Sequence, residues 1–195
     1  VMNNPKVDAI FGLHAWPGKV GTVEYRSGPT MAAAERMRIT VTGSQTHGAV
    51  PWKGVDPIAI SSQIITALQT IVAREVNISQ VPAVVTIGSI HGGVRNNIIP
   101  EEVVMEGTIR TFNDEVRKDI HDSIRKKAEM IASASGATAK VEIFSDIAKV
   151  TFNEPSLTDK MVPSLERVYG KENVKITPFI TGAEDFPFFT DHAPG

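Results

Sequence analysis

The chain has 195 residues, of which 42% are hydrophobic and 22% are charged, as in a globular protein with one large or two small domains. Its net charge of −2 excludes a strongly basic surface for nucleic acid or an anionic membrane, and the absence of cysteine excludes disulfides and thiolate zinc clusters. No apolar run reaches the roughly 18–20 residues that cross a bilayer.

The first predicted element is a buried strand over Val7–Leu13, an apolar run that Pro17 and Gly18 end. His14 follows this run directly, so we expect it at the carboxyl end of a strand. In open α/β sheets, ligands and catalytic groups collect at that end. The alternative is a buried structural histidine that bonds a backbone carbonyl.

The next predicted elements are a strand and a helix. Residues 36–42 alternate between polar and apolar side chains, which is typical of a half-buried strand. Asp56 is expected to be the N-cap of the helix, with Pro57 as its first residue. The apolar stripe predicted for this helix consists of Ile58, Ile65, Leu68 and Val72.

A second helix is predicted after Asn113 or Asp114, either of which can cap it, and Gly136 is expected to end it. Its apolar stripe is Val116, Ile120, Ile124, Ala128 and Ile131. His121 is expected on its polar side, without a particular role. Further strands are predicted at residues 82–90, 101–112 and 139–144.

The order strand, helix, strand, strand, helix, strand predicts a ferredoxin-like βαββαβ domain over residues 33–148, with both helices on one face of a four-stranded antiparallel sheet. Residues 149–195 contain a predicted helix and a short strand, and with residues 1–32 they are expected to form part of an α/β domain. The ferredoxin-like domain is then an insert in that α/β domain. We expect both chain ends to lie within a longer, cytoplasmic protein.

Two loops of the predicted insert carry side chains that suit a binding site. His47 lies at the centre of a loop rich in Gly and Pro, residues 43–58, and Asn97 lies in the polar loop 92–102. The alternatives are a solvated histidine and a turn-forming asparagine, both of which are common in loops.

Arg110 and Glu184 are further candidates. Alternation along 107–112 places Arg110 on the sheet face without helices, where a guanidinium can hold a carboxylate through two charge-assisted bonds. The alternative is a salt bridge with Glu106 on the same face. Glu184 and Asp185 precede an aromatic run that could partly desolvate one of the two acids.

Several short motifs occur together and in order along the whole chain. They are Gly-Leu-His-Ala-Trp-Pro at 12–17, Gly-Val-Asp-Pro-Ile at 54–58, Leu-Gln-Thr-Ile-Val-Ala-Arg-Glu at 68–75, Gly-Gly at 92–93, Asn-Ile-Ile-Pro at 97–100, Gly-Thr-Ile-Arg-Thr-Phe at 107–112 and Glu-Asp-Phe at 184–186. In this order they resemble the dinuclear-zinc aminoacylase and carboxypeptidase family. Within it, they resemble the branch of hippurate hydrolases, N-acyl-amino-acid amidohydrolases and auxin-conjugate hydrolases.

The resemblance implies a role for each candidate residue. His14 is expected to bind a catalytic divalent metal. The expected metal is zinc, with manganese or cobalt as alternatives. His47 is expected to reach the partner subunit's site in a homodimer and to stabilise the oxyanion. Asn97 and Arg110 are expected to bind the carboxylate end of a small N-acyl amino acid or dipeptide-like substrate, and Glu184 to lie near the metal and the substrate.

The resemblance also implies where this chain is incomplete. The family's histidine loop usually carries a second histidine, and Trp52 stands there instead. The remaining metal ligands and the glutamate base are expected upstream of residue 1, and a last histidine ligand downstream of residue 195. We therefore expect the chain alone to be inactive. The resemblance implies that the insert is the family's lid or dimerisation domain. The alternative interpretation is that the chain is a non-catalytic dimerisation module.

Overall fold

The computed structural model describes residues 6–195. In this part of the chain the strands are β1 (Val23–Tyr25), β2 (Gly28–Met31), β3 (Ala33–Thr42), β4 (Thr46–His47), β5 (Ala83–Gly92), β6 (Ile98–Ile99), β7 (Glu102–Thr111), β8 (Thr138–Ala148), β9 (Thr151–Asn153) and β10 (Val174–Ile176). The helices are α1 (Pro57–Thr70), α2 (Asp114–Ala134), α3 (Pro155–Tyr169) and α4 (Pro187–Thr190). None of these helices is long and apolar enough to cross a membrane.

The described chain divides into two compact units. The insert unit is Glu35–Ile147, and the flanking unit comprises the described residues up to Ala34 together with Ala148–Gly195. The two units are described separately below.

The insert unit contains a four-stranded sheet with the order β5-β7-β3-β8. This order is the one that the predicted ferredoxin-like arrangement requires. Strands β5 and β7 are antiparallel from Ala83 opposite Thr111 to Gly92 opposite Val103, with an irregularity between Ile87 and Ser89. The α+β architecture of this unit confirms the predicted fold class.

Alternating side chains explain how the sheet acquires its core. In β3, Met37, Ile39 and Val41 are fully buried, while Arg36 and Arg38 on the other face are exposed. The buried strand residues form one cluster with apolar residues of both helices. The strand residues on the opposite face remain outside this core.

Helix α1 begins as predicted, but its buried face differs from the prediction. The Asp56 side chain accepts hydrogen bonds from the backbone N–H groups of Ile58 and Ala59 at 2.8 and 3.3 Å. The predicted stripe was wrong at Ile58, which is 45% exposed. The buried isoleucines and leucine of the helix are Ile60, Ile64 and Leu68, and Ile71 continues this face in the π-helical turn that follows. Because α1 carries isoleucines on several sides, periodicity alone does not select the face that packs.

Helix α2 follows the prediction closely. Asn113, rather than Asp114, is the N-cap, and its Oδ1 accepts from the backbone N–H groups of Glu115 and Val116 at 2.8 and 3.0 Å. Gly136 follows the helix with a φ of +77°, a conformation that favours glycine. The buried residues of the helix are Ile120, Ile124, Ala128 and Ala132.

The flanking unit is built from short pairings. Strands β1 and β10 are parallel, and β2 and β9 are antiparallel. Helix α3 starts after Glu154, whose carboxylate accepts from the backbone N–H groups of Ser156 and Leu157 at 3.1 and 2.6 Å. The predicted helix and the predicted strand of residues 149–195 are therefore present.

The prediction of a buried strand over Val7–Leu13 was wrong. The segment has no regular secondary structure, and Leu13 is 79% exposed. A strand needs a hydrogen-bonding neighbour, and no strand of the described residues pairs with this segment. Instead, the Ile10 N–H donates to the Pro194 carbonyl at 2.9 Å.

Candidate functional site

In the flanking unit, His14 and Glu184 meet although 170 positions separate them in the chain. His14 Nε2 lies 2.8 Å from Glu184 Oε1, with the two side chains 52% and 29% exposed. His14 Nδ1 lies 2.6 Å from the Ala15 carbonyl oxygen. The ring also contacts Trp16 edge to face, with centroids 5.3 Å apart. His14 is therefore neither buried nor at the end of a strand, and its ring is held by local contacts.

Close packing joins the two segments that carry this pair. A Cβ atom at Gly12 would lie 3.0 Å from the Phe186 ring, so a glycine at position 12 lets the aromatic side chain approach. A Cβ atom at Gly182 would lie 3.6 Å from the Trp16 ring. Phe186, two residues after Glu184, thus packs against the segment that contains His14. Asp185 is exposed.

The His14–Glu184 pair supplies two of the donor atoms that a metal site needs. An imidazole nitrogen and a carboxylate oxygen are ligands for zinc, and they also suit manganese or cobalt. Residues 6–195 contain no group of three or more His, Asp or Glu side chains that could hold a metal ion. Zinc sites in proteins use three or four protein ligands. The described residues fit a metal, but they do not complete its coordination.

In the insert unit, His47 and Asn97 are brought together by their backbones. Strands β4 and β6 pair antiparallel, with His47 opposite Ile98. The Gly48 N–H donates to the Asn97 carbonyl at 2.8 Å. Both His47 and Asn97 are exposed, so the two loops present their polar side chains to solvent from one short ladder.

The tautomer of His47 follows from its one hydrogen bond. The backbone N–H of Ala49 donates to His47 Nδ1 at 3.1 Å. An acceptor nitrogen carries no proton, so in the neutral ring the proton resides on Nε2. His47 can therefore offer an Nε2–H donor to a ligand.

Two glycines shape the loop of His47. A Cβ at Gly43 would lie 2.2 Å from the Val55 carbonyl oxygen, and a Cβ at Gly54 would lie 2.5 Å from the Ser44 carbonyl oxygen. Only glycine fits at these two close approaches to the backbone. An antiparallel β-bridge between Ser44 and Val55 joins the two ends of the loop. Trp52, where the family usually has a second histidine, is 76% exposed in a 3₁₀ turn.

Arg110 lies on the sheet face opposite the core, as the alternation of β7 predicts. Its neighbour Ile109 is fully buried, whereas Arg110 is half-buried. The alternative salt bridge with Glu106 is wrong, because the Glu106 carboxylate binds Arg38 at 2.6 Å. Within residues 6–195, the Arg110 guanidinium forms no hydrogen bond or ion pair. A carboxylate ligand would provide the partner that it lacks.

Sequence reasoning missed a buried carboxylate with polar partners in the insert unit, Glu35. Glu35 is 1% exposed, with His121 Nε2 at 2.6 Å and the Ser145 hydroxyl donating at 2.5 Å. Burial raises the pKa of Glu35, but the hydrogen bonds from His121 and Ser145 outweigh it and hold the pKa below its ordinary value. Because side chains alternate along β3, Glu35 lies on the same face as Met37, which is the core face. This alternation is the sequence signal that predicts the burial of Glu35.

Comparisons with known proteins identify the family of the chain. Residues 34–135 match the family model described as the peptidase dimerisation domain of M20 type. Thermostable carboxypeptidase 2 of Saccharolobus solfataricus is 38% identical over 198 residues, which cover 100% of this chain and 48% of that protein. N-acetyl-L-cysteine deacetylase of Bacillus subtilis is 39% identical over 193 residues, which cover 97% and 45%. The chain thus spans about half the length of these curated relatives.

A solved structure gives the same result in three dimensions. The YxeP protein of Bacillus subtilis, described as a dinuclear metal-binding peptidase of the M20 family, superposes with a TM-score of 0.78 at 32% identity. The match covers 97% of this chain and 46% of that protein. The family model covers more than half of the chain, from Ala34 to Ser135. The chain therefore belongs to the M20 peptidase family, and it contains that family's dimerisation domain.

Proposed function

We propose that the full-length protein is a metal-dependent amidohydrolase that cleaves the amide bond of N-acyl amino acids. The observation that carries the proposal is the His14–Glu184 pair, which holds a nitrogen and an oxygen ligand 2.8 Å apart. Relatives that are named as deacetylases and a carboxypeptidase match the chain at 33–39% identity, and they support amide hydrolysis.

The residues of this chain have distinct proposed roles in the reaction. A bound divalent metal supplies an activated water and a Lewis acid for amide hydrolysis. His47 donates its Nε2–H to the oxyanion that forms on the substrate carbonyl, because Ala49 occupies Nδ1 and so fixes the tautomer. Arg110 holds the substrate carboxylate, and the Asn97 amide donates a further hydrogen bond to it.

The proposed assembly is a homodimer that forms through the dimerisation domain. Because His47 belongs to this domain, we propose that it acts at the metal site of the partner subunit. The match of residues 34–135 to a dimerisation domain supports the assembly.

The test is hydrolysis by the full-length protein after its metal has been removed with a chelator. The apoprotein is reloaded in turn with zinc, manganese or cobalt and assayed with N-acetyl and N-benzoyl amino acids. We expect the apoprotein to be inactive and at least one metal to restore turnover. Turnover that is unaffected by the chelator, or no turnover with any metal, would contradict the proposal.

A second candidate applies to the chain by itself, and the absence of a three-ligand group within residues 6–195 favours it. In this reading the 195-residue chain is a non-catalytic dimerisation module. A dimer in light scattering without hydrolysis of any N-acyl amino acid supports this reading, and metal-dependent turnover by the chain alone contradicts it.

A further inference from the structure

Trp52 is a large apolar side chain that the insert unit exposes in the loop of His47. It is 76% exposed, although buried aromatic side chains contribute strongly to the free energy of folding. Backbone hydrogen bonds nevertheless fix its place in the loop. The Val50 N–H donates to the His47 carbonyl at 2.9 Å, and the Lys53 N–H donates to the Val50 carbonyl at 3.0 Å. These two consecutive turns connect Trp52 to His47.

Two more exposed apolar side chains lie on the loops that carry His47 and Asn97. Ile58 is 45% exposed at the end of the first loop, and Val94 is 99% exposed in the second. The two loops also meet there, because a Cβ at Gly93 would lie 3.7 Å from Ile58 Cδ1. Small-molecule sites typically combine apolar side chains with a few polar groups that fix the orientation of the ligand. The two loops together have this composition.

The proposed substrate has three parts that a site can recognise: a carboxylate, an amide carbonyl and an acyl substituent. The roles proposed above assign the carboxylate to Asn97 and Arg110, and the carbonyl oxygen to His47. The acyl substituent is bonded to the carbonyl carbon, so it lies next to the oxygen that His47 contacts. In the loop of His47, the large exposed apolar side chain is Trp52.

We propose that Trp52 is a specificity-determining residue that contacts the acyl substituent and selects planar, apolar acyl groups such as benzoyl over acetyl. The inference rests on the proposed function, and because Trp52 shares a loop with His47, both act at the partner subunit's site. An indole ring stacks favourably with another aromatic ring. The histidine that the family usually has at this position is more polar, so Trp52 makes this part of the loop more apolar.

The experiment compares N-benzoyl and N-acetyl derivatives of one amino acid with the full-length protein. Trp52→Ala removes the indole, Trp52→Phe keeps an aromatic ring, and Lys53→Ala is the control, an exposed position in the same turn. Calorimetry measures binding to the metal-free protein, so that hydrolysis does not interfere, and kcat/KM is measured on the metal-loaded protein. Circular dichroism and light scattering verify the folding and the assembly of each variant.

We expect Trp52→Ala to weaken binding of the N-benzoyl compound by about 10-fold and to lower its kcat/KM by a similar factor. The N-acetyl compound lacks the ring and should change by less than about 2-fold. Trp52→Phe should retain most of the preference for benzoyl, and Lys53→Ala should behave as the wild type does.

Three results would overturn the inference. The first is a wild type that does not prefer the N-benzoyl compound. The second is a Trp52→Ala variant that loses the same factor on both compounds. The third is a Trp52→Ala variant that keeps the preference but dimerises or folds less well, because the indole then packs against protein instead of substrate.

The proposed function fails in a different way. It fails when the metal-loaded wild type hydrolyses neither compound, and the binding preference of the metal-free protein and its loss in Trp52→Ala remain measurable in that case. An active wild type whose preference survives in Trp52→Ala overturns the role of Trp52 alone.

Discussion

The backbone N–H of Gly48 donates to the carbonyl oxygen of Asn97 at 2.8 Å, and this bond joins two loops that lie about 50 positions apart in the sequence. Because His47 precedes Gly48 directly, its side chain and that of Asn97 are positioned by the same short ladder. A polar site formed in this way is set by backbone pairing, so single side-chain changes within it should alter chemistry more than folding.

His47→Ala in the full-length protein should lower kcat by about 10²–10³ and change KM little. A donor aimed at an oxyanion acts mainly in the transition state, and the loss of one such donor costs a factor of that order. Gln45→Ala, an exposed position in the same loop, is the control and should leave both constants unchanged. An effect of His47→Ala confined to KM would identify a ground-state contact instead.

Arg110→Ala should lower kcat/KM for an N-acyl amino acid by roughly 10- to 150-fold, which corresponds to about 1.5–3 kcal/mol for a charge-assisted bidentate contact. The matching amino-acid amide lacks the charge and should be hydrolysed nearly as before. Arg110→Lys should recover only part, because an ammonium group does not reproduce the planar fork. Equal losses on the acid and the amide would rule out the carboxylate anchor.

Arg38→Ala is the matched control for this substrate comparison. Arg38 is an arginine of the neighbouring strand, and its guanidinium binds Glu106 at 2.6 Å. Its removal should leave the ratio of acid to amide hydrolysis unchanged, because its guanidinium is already paired. A change of this ratio as large as that in Arg110→Ala would assign the effect to the charge of the whole sheet face.

Glu35→Gln should destabilise the protein at pH 7 by about 2 kcal/mol, through the loss of charge-assisted bonds to His121 and Ser145. The pKa of Glu35 is lower in the folded state than its ordinary value of 4.5, so its contribution is present above pH 4.5 and is lost as the pH falls through the folded pKa. The stability difference between wild type and variant should therefore shrink in acid.

Urea denaturation at neutral and at acidic pH measures this difference. Glu142→Gln is the control, because Glu142 pairs with Lys140 at the surface and its loss should matter little. A difference between wild type and Glu35→Gln that stays constant from pH 7 to pH 3 would contradict a stabilising role for the Glu35 carboxylate.

Zinc added to the 195-residue chain alone should not survive dialysis in stoichiometric amount. The described residues bring together two metal donors, His14 and Glu184, whereas tight zinc sites use three or four protein ligands. Metal analysis after dialysis measures the bound zinc, with His14→Ala as the control for adventitious binding. One retained zinc per chain, lost in His14→Ala, would show that a complete site exists in this chain.

The insert unit could be predicted from the sequence because its signals are local. Alternation in residues 36–42, the Asp56-Pro57 start and the Asn113 cap each depend on nearby residues, and each is present in the structure. The buried face of α1 could not be derived in this way, because Ile58 and Ile60 are equally apolar and only packing against the sheet distinguishes them.

Contacts between residues that are far apart in the sequence could not be predicted from local patterns. The meeting of His14 with Glu184 depends on packing between segments at the two ends of the sequence, which no local pattern encodes. The strand predicted at Val7–Leu13 had the right composition, but a strand also requires a neighbour to bond. The roles of His47, Asn97 and Arg110 follow from the family resemblance, and they remain predictions.

The most direct test of the account is the activity of a heterodimer that carries His14→Ala in one subunit and His47→Ala in the other, co-expressed with two different tags and purified by both. If His47 acts at the partner subunit's metal site, one of the two sites retains both residues, and the heterodimer should have about half the wild-type kcat. Each mutant homodimer should be nearly inactive. A heterodimer no more active than the two homodimers would contradict the account, because it would mean that His14 and His47 serve the same subunit or that neither serves catalysis as proposed.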